Sequence, residues 1–284
     1  MPTYAIITDS DASLPDAIAS QHHIRQVPIS VHFGDEVLLT NIDINDQQLF
    51  DRVDREGVLP TTSAPSPGAF VEAFQEAFES GADAVICFTV SSEVSATYSA
   101  AVSARNIHAD RDITVVDTRT LSMGQGFMVM AAAEAAASGA TKEEILAVAE
   151  AVRDHSHLFA ALSTLKYLAM SGRVGHLAAG MANLLNVKPI LSVQDGKLDL
   201  LERVRTQRKA WSRVIDLIQD AAAGKRIERL SILHVRAPEQ AAQFSDLLCG
   251  KLACPEGVLT AELTPGLSVH SGAGLVGAAF ITSR

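Results

Sequence analysis

The fold is decided by residues 83–98, in which Asp83-Ala84-Val85-Ile86-Cys87-Phe88-Thr89-Val90 is followed by Ser91-Ser92-Glu93-Val94-Ser95-Ala96-Thr97-Tyr98. The first segment is an apolar run with the length of one strand, and such runs are typical of strands buried on both faces of a parallel sheet. The second segment is polar and leads into a helical pattern that continues to about Asn106. A buried strand followed by a polar loop and a helix is the repeating unit of an α/β sheet.

The same alternation extends to both sides of this unit. Strand patterns cover residues 3–8 and 113–117, and helical patterns begin near residues 13, 45, 67, 123 and 141. One stretch differs, because Arg25 to Phe33 and Glu36 to Leu39 predict a hairpin that turns at Gly34-Asp35. Residues 1–156 are therefore predicted to form an α/β domain with a mostly parallel sheet.

The pattern changes from about residue 157. Strands are predicted at 158–162, 187–193, 197–205, 227–235, 258–263 and 275–282, and helices at 207–223 and 238–248. Asp195-Gly196 between two of these strands is a strong hairpin signal. We expect residues 157–284 to form a second α/β domain with a mixed or antiparallel sheet.

A proline-rich segment, Pro60 to Gly68, places three consecutive hydroxyl residues, Thr61, Thr62 and Ser63, just before a helical pattern. Ser66 is predicted to cap that helix and Pro67 to be its first residue. Hydroxyls and free backbone N–H groups near a positive helix end suit an anion. The alternative is a capped turn on the surface.

Two further segments carry similar chemistry. The serine loop, Ser91 to Thr97, lies where a strand ends and a helix begins, which is where ligands bind in open α/β sheets. The segment from Ser268 to Gly274 is predicted to be a glycine-rich turn that presents His270 between the last two strands. Two hydroxyl loops and a histidine could hold a carboxylate or a phosphate, although a lone histidine often has a structural role.

The charge is uneven along the chain. The net charge is −10, which argues against a nucleic-acid partner. Residues 160–213, however, carry nine Lys or Arg and three acids, a local charge of +6. This basic segment indicates either a local anionic ligand or acidic partner, or a solvated hairpin and helix face.

Several classes of site are not indicated. Cys87, Cys249 and Cys254 are odd in number and lack Cys-x-x-Cys spacing, so we expect neither a disulfide framework nor a zinc site. The run from Gly272 to Gly277 matches G-x-G-x-x-G, but no helix or acidic residue follows it, and no Walker motif is present. We expect no cofactor. The start of the chain lacks signal-peptide features and no apolar run is long enough to span a bilayer, so we expect a cytoplasmic protein.

Several short motifs are weak signals one by one, but their order along the chain is specific. They are Thr8-Asp9-Ser10, residues 60–67, 91–98 and 116–124, Thr164-Leu165-Lys166-Tyr167-Leu168 with Ser171-Gly172-Arg173, residues 185–191, Val204-Arg205-Thr206, and His270-Ser271-Gly272-Ala273-Gly274. In this order they resemble the DegV family of bacterial fatty-acid-binding proteins. That family includes the FakB carriers, which present a fatty acid to a separate kinase. The resemblance implies a two-domain α/β DegV-like fold that holds the acyl chain between or within the domains.

The resemblance also implies which residues bind. The residues implied at the carboxylate end are Thr62, Ser63, Ser95, Ala96, His270 and Ser271. Arg173 and Arg205 are implied near the phosphate of the acyl phosphate or near the partner. The family's serine loop usually reads Ser-Gly-Thr where this chain has Ser95-Ala96-Thr97, so the Ala96 methyl could narrow the head-group pocket. The family's Gly-Gly-Arg pattern is Ser171-Gly172-Arg173 here.

We therefore expect a carrier that buries a long-chain fatty acid and presents it to a partner fatty acid kinase with an ATP-binding domain. The expected tunnel lining is residues 123–133 and 177–185, which are rich in Ala, Gly and Met; the alternative for them is ordinary helix packing. The alternative function is a stand-alone serine hydrolase or acyl-transfer enzyme that uses Ser95 and His270. A triad with Asp117 is disfavoured because no G-x-S-x-G elbow is present.

Overall fold

The computed structural model describes residues 2–172 and 187–284, which form α/β layers around three sheets. The strands are β1 (Tyr4–Asp9), β2 (Arg25–Val27), β3 (Ser30–Phe33), β4 (Glu36–Leu39), β5 (Thr61–Ser63), β6 (Ala84–Thr89), β7 (Ile113–Asp117), β8 (Ser156–Ala161), β9 (Lys188–Gln194), β10 (Lys197–Val204), β11 (Ile227–His234), β12 (Leu259–Glu262) and β13 (Val276–Thr282). The helices are α1 (Asp16–Gln21), α2 (Asp46–Glu56), α3 (Pro67–Glu79), α4 (Thr97–Ile107), α5 (Met123–Ala137), α6 (Lys142–Asp154), α7 (Lys166–Ser171), α8 (Gln207–Ala222), α9 (Pro238–Cys249) and α10 (Pro265–Ser271).

The first sheet has the strand order β2-β1-β6-β7, and all of its pairs are parallel. Every residue of β6 is buried, because α3 and α4 pack on one face of the sheet and α5 packs on the other. The prediction from the apolar run at residues 83–90 is confirmed. The carboxyl ends of β1, β6 and β7 meet at one edge, so the loops that follow them lie side by side.

The second sheet has the order β10-β9-β8-β13-β11-β12 and is mixed, since only β11 and β12 pair in parallel. This confirms the predicted mixed sheet. Helices α8 and α9 pack on one face of it, and α5 packs between its other face and the first sheet. Residues 123–133 of α5 are buried on all sides, as expected for a helix without a polar face.

One continuous core connects the two halves of the chain. It runs from Ile6 in β1, through Phe88 and Met128, to Leu233 in β11 and Leu275 before β13. The division expected between residues 156 and 157 falls at the first residue of β8. That division stays a prediction, and the site described below draws residues from both sides of it.

The third sheet, β4-β3-β5, corrects two expectations. The predicted strand from Arg25 to Phe33 is divided, because β2 pairs with β1 in the first sheet while β3 pairs with β4. Pro28 lies between the two parts and has no N–H to donate to a continuous ladder. The predicted loop at Thr61–Ser63 is instead the edge strand β5, which pairs antiparallel with β3. β-branched threonines suit such a strand.

Two further local predictions, the cap of α3 and the state of the cysteines, had different outcomes. Ser66 caps α3 by accepting a hydrogen bond from the backbone N–H of Ala69 at 3.2 Å, and Pro67 is the first helical residue, as predicted. We expected no disulfide framework, and the structure contains one local disulfide, between Cys249 at the end of α9 and Cys254, while Cys87 is a buried free cysteine. An odd number of cysteines excludes the pairing of all of them, but it does not exclude one disulfide that closes a short loop.

Within the described ranges, no helix has both the length and the apolar character that crossing a bilayer requires.

Candidate functional site

A cavity of about 580 Å³ lies between the two large sheets. Its size falls within the range of about 300–1,000 Å³ that is usual for small-molecule pockets. Most of its wall is leucine and other aliphatic side chains, with Leu158 and Ala160 from β8, Leu191 from β9, Leu198 from β10, Leu233 from β11, and Leu121, Leu162, Leu263 and Leu275 from adjoining loops. The polar lining residues come chiefly from β5, the serine loop and α10, which we call the polar end of the cavity. The cavity is therefore amphipathic.

Thr62 and His270 meet at the polar end. Thr62 Oγ1 lies 2.8 Å from His270 Nε2, although the two residues are 208 positions apart in the chain. Thr62 is in β5, and β5 is held in place by its ladder with β3. The hydroxyl and the imidazole both line the cavity and are partly buried. An anion placed beside this pair would lie within reach of polar groups from two different elements.

His270 is carried by a helix and not by the predicted glycine-rich turn. Helix α10 spans Pro265–Ser271 and ends at Gly272, whose φ of 80° is readily adopted by glycine. A Cβ on Gly272 would lie 2.2 Å from the ring of Tyr167, so α10 and α7 pack closely at this point. The helix fixes the backbone of His270 more firmly than a turn would.

Ser95 and Ala96 approach the cavity from the serine loop, immediately before α4. Ser95 Oγ lies 2.8 Å from Thr97 Oγ1 and accepts a hydrogen bond from the Thr97 N–H at 3.3 Å. Ala96 has a φ of −80°, which any L-residue adopts without strain. Alanine in place of glycine is therefore compatible with the backbone here, and the residue lines the cavity.

Ser63 and Ser271 also line the cavity. The sequence did not indicate the partner of Ser63, which is His32 on β3, with Nε2 2.7 Å from Ser63 Oγ. Ser271 is buried, and its hydroxyl donates within α10, to the carbonyl of Leu267 at 3.3 Å. His32 carried no motif and became visible only when the pairing of β3 with β5 was known.

Buried acids support the helix that carries His270. Ser268 in α10 donates to Asp46 Oδ1 at 2.5 Å, and Asp46 is the first residue of α2. Burial raises the pKa of Asp46 to about 8, with Glu262 adding to the rise and Ser268 and Arg236 opposing it. A neutral Asp46 carboxyl therefore connects α2 to α10 at moderate pH.

A second buried acid, Asp9, connects the end of β1 to the strand before the serine loop. Its carboxylate accepts from the backbone N–H of Val90 at 2.7 Å and of Asp11 at 2.9 Å. Burial raises the pKa of Asp9 to about 6, against these hydrogen bonds. The motif Thr8-Asp9-Ser10 thus has a structural function at the carboxyl edge of the first sheet.

The β9–β10 hairpin closes one side of the site. Ser91 Oγ donates to the carbonyl of Gly196 at 2.7 Å, and Arg119 Nη2 donates to the carbonyl of Asp195 at 2.6 Å. A Cβ on Gly196 would lie 2.5 Å from Ser91 Oγ, so the close approach requires glycine. The turn that the sequence predicted thus joins the second sheet to the serine loop.

One of the two predicted arginines, Arg205, lies outside the cavity in the structure. Arg205 is exposed and follows β10, and it does not line the cavity. Arg173 lies outside the described residues, as does the segment 177–185. The expectation that residues 123–133 line the tunnel is wrong, because these residues are buried in the core and the described lining comes from other segments of the chain.

The arrangement does not form the pair that a serine hydrolase needs. Ser95 bonds to Thr97 and His270 to Thr62, and no hydrogen bond joins Ser95 to His270. Asp117 accepts from Ser92 and from the Arg119 N–H, which stabilises the turn after β7. In the described parts of the chain, no three His, Cys, Asp or Glu residues are grouped to hold a metal ion.

Comparison with known proteins gives consistent relatives. A DegV domain-containing protein of Streptomyces coelicolor is 34% identical over 273 residues, covering 96% of each chain. A solved structure described as fatty acid binding of a DegV family protein from Thermus thermophilus has a TM-score of 0.91 at 31% identity, over 99% of this chain and 100% of that one. DegV of Bacillus subtilis, described as a fatty acid binding protein, has a TM-score of 0.88 at 28% identity, with both chains fully covered.

The match to a family model covers nearly the whole chain. The model described as an uncharacterised protein of the DegV family matches residues 3–283. The two large sheets and the order of the quoted motifs agree with this match. The chain belongs to the DegV family.

Proposed function

We propose that this protein binds a long-chain fatty acid, with the carboxylate at the polar end of the cavity and the acyl chain against the leucine wall. The observation that carries the proposal is the amphipathic cavity, in which Thr62 and His270 meet at one end of a largely aliphatic enclosure. Relatives of known structure, described as fatty acid binding, support it. Each buried methylene contributes about 0.8 kcal/mol, so the chain provides most of the affinity.

The polar end selects a carboxylate. Thr62, Ser95 and His270 supply hydrogen bonds without a fixed cation, and Ser63, Ala96 and Ser271 complete that end of the lining. Hydrogen bonds to a charged acceptor contribute about 1.5–3 kcal/mol each. These bonds are directional, so they determine which end of the ligand enters. No cofactor is required for this binding.

Presentation to a partner fatty acid kinase is the second part of the proposal. Arg203, Arg205, Arg208 and Lys209 are exposed and form no ion pair with any acid in the described part of the chain. A guanidinium fork suits a phosphate or an acidic partner surface. We assign Arg205, together with Arg173, to the side of the protein that faces the acyl phosphate and the kinase. We also assign the protein to the cytoplasm, where ATP is available to the kinase.

The test is mass spectrometry of the purified protein, followed by titration of delipidated protein with palmitate. Co-purified long-chain fatty acid and saturable palmitate binding are expected. Thr62→Ala and Ser95→Ala should weaken binding, and the matched controls Thr61→Ala and Ser103→Ala, at exposed neighbouring positions, should not. Turnover of a generic ester that is lost in Ser95→Ala would support the alternative acyl-transfer enzyme and contradict the carrier.

A further inference from the structure

We propose that Asp11 and Ser122 form a second polar subsite in the wall of the cavity, which accepts a hydroxyl group on the chain of a long-chain hydroxy fatty acid. This inference rests on the proposed function, and it adds the class of fatty acid that the cavity prefers. Both residues line the cavity. They come from the turns that follow β1 and precede α5, whereas β5 and the serine loop supply Thr62 and Ser95.

Asp11 offers a carboxyl oxygen to the cavity. The residue is 5% exposed and lies in the 3-10 turn that follows β1. Its Oδ1 lies 3.4 Å from the hydroxyl of Thr264 and packs so closely on Gly266 that a Cβ there would lie 2.2 Å away. Its Oδ2 receives no hydrogen bond from any residue in ranges 2–172 and 187–284. One oxygen is thus held against α10 while the other has no protein partner there.

Ser122 is the second residue of the subsite and adjoins Asp11 through the backbone. The residue is 1% exposed, and its Oγ has no hydrogen-bond partner among the described residues. Its backbone N–H donates to the carbonyl of Asp11 at 2.8 Å, so the two residues adjoin. The backbone of Ser122 has a φ of 51°, an uncommon value for a residue other than glycine. The turn before α5 therefore holds this serine against the cavity in a specific conformation.

The surroundings of the two groups are apolar. Ile29, Val90 and Leu121 line the same cavity, and a Cβ on Gly266 would also contact Ile29. Gly266 lies one turn of α10 before His270, and four residues of helix advance about 6 Å. The subsite is therefore a separate polar point along the wall, one helical turn from the histidine of the polar end.

A plain alkyl chain leaves these groups without partners. Buried polar atoms without hydrogen bonds are unfavourable, and a carboxyl in an aliphatic wall is especially so. Burial, with the nearby charge of Asp9, raises the pKa of Asp11 well above its usual range. The neutral carboxyl can both donate and accept, as can a hydroxyl. A hydroxyl on the ligand chain would satisfy Asp11 and Ser122 together, whereas the same hydroxyl elsewhere would be buried against leucine.

The test compares the affinity of delipidated protein for stearate and for its 3-, 6-, 9- and 12-hydroxy derivatives. We expect one hydroxy position to bind at least as tightly as stearate and at least about tenfold more tightly than the other positions, which bury an unpaired hydroxyl. The preferred position reports how far the subsite lies from the carboxylate. Saturable stearate binding tests the proposed function separately, because it does not depend on the subsite.

The variants are judged by the ratio of hydroxystearate to stearate affinity within each protein. Asp11→Ala and Ser122→Ala should remove the positional preference, and Asp11→Asn, which keeps a donor and an acceptor, should retain it. Ser192→Ala is the matched control, because Ser192 is also buried with an unpartnered hydroxyl but does not line the cavity. Equal affinities for all hydroxy positions in the unaltered protein overturn the subsite, and so does a preference that persists in Asp11→Ala or, if that variant does not fold, in Ser122→Ala.

Discussion

The two ends of the cavity are built in opposite ways. The apolar wall consists of many interchangeable side chains, chiefly leucines on strands β8 to β11 and in other segments, while the polar end consists of a few groups on β5, the serine loop and α10. The wall stabilises a ligand in proportion to the area it buries and has no preferred direction. The polar end acts only at hydrogen-bond distance. Loss of one polar group should therefore lower the affinity in a single step, whereas the contribution of the wall should change gradually with the length of the acyl chain.

The largest expected effect concerns the wall and comes from shortening the ligand. Four methylenes separate palmitate from laurate, and at about 0.8 kcal/mol each they should change affinity by about two orders of magnitude. Isothermal titration of a series of saturated acids measures this. A steep rise that ends once the cavity is filled is expected, and equal binding of butyrate and palmitate would point to a small-anion site instead.

Thr62→Ala should produce the next largest effect. It removes the hydroxyl that lies 2.8 Å from His270 Nε2, and loss of a hydrogen bond to a charged acceptor costs about 1.5–3 kcal/mol, or about 10- to 150-fold in affinity. The control is Thr61→Ala, whose side chain is exposed and does not line the cavity. The same loss for every chain length would show that the polar end acts independently of the wall, and unaltered palmitate binding would remove Thr62 from the site.

The support of α10 should respond to pH. The pKa of Asp46 is raised to about 8 in the folded protein, against an ordinary value of 3.8, so the folded state binds the proton more tightly than the unfolded state. The contribution of Asp46 to the free energy of unfolding is therefore greatest at low pH and is lost as pH rises from about 4 to 8. Asp46→Asn keeps a neutral partner for Ser268. In this variant, the decrease of the thermal midpoint with rising pH should be smaller by several degrees. Parallel curves for the two proteins between pH 5 and 8.5 would mean that Asp46 is ionised throughout.

Arg205→Ala should have the smallest effect on binding, because Arg205 lies outside both ends of the cavity. Palmitate affinity is expected to change less than twofold, within the range of an exposed charge. Acyl phosphate formation by the proposed partner kinase should fall strongly, with Arg226→Ala, at an exposed arginine paired with Glu228, as the control. If lipid content and phosphorylation fall together, Arg205 belongs to the lipid site.

The parts of the fold that follow from local pattern were predictable. The run from Asp83 to Val90 indicated a strand buried on both faces, and Asp195-Gly196 indicated a hairpin, because each signal is contained in a few neighbouring residues. The third sheet was not predictable in this way. Pairing of Val31 with Thr62 joins distant segments, and three hydroxyl residues between prolines favour a loop when read alone.

The site followed the same rule. The residues that we propose to bind the carboxylate were identified by a family resemblance, whose motifs are short and polar. The leucine wall carried no motif, because a leucine in a strand looks the same whether it faces a core or a cavity. Asp11 and Asp46 look like ordinary acids at the starts of helical turns, and only the packing of α10 against them shows that they are buried.

The most direct test is a crystal structure of the protein with palmitate. We predict a carboxylate within about 2.6–3.2 Å of Thr62 Oγ1, Ser95 Oγ and His270 Nε2, with the acyl chain extending along the leucines of β8, β9 and β11. A chain that enters with its methyl end toward Thr62 and His270, or a palmitate bound outside this cavity, would contradict this prediction.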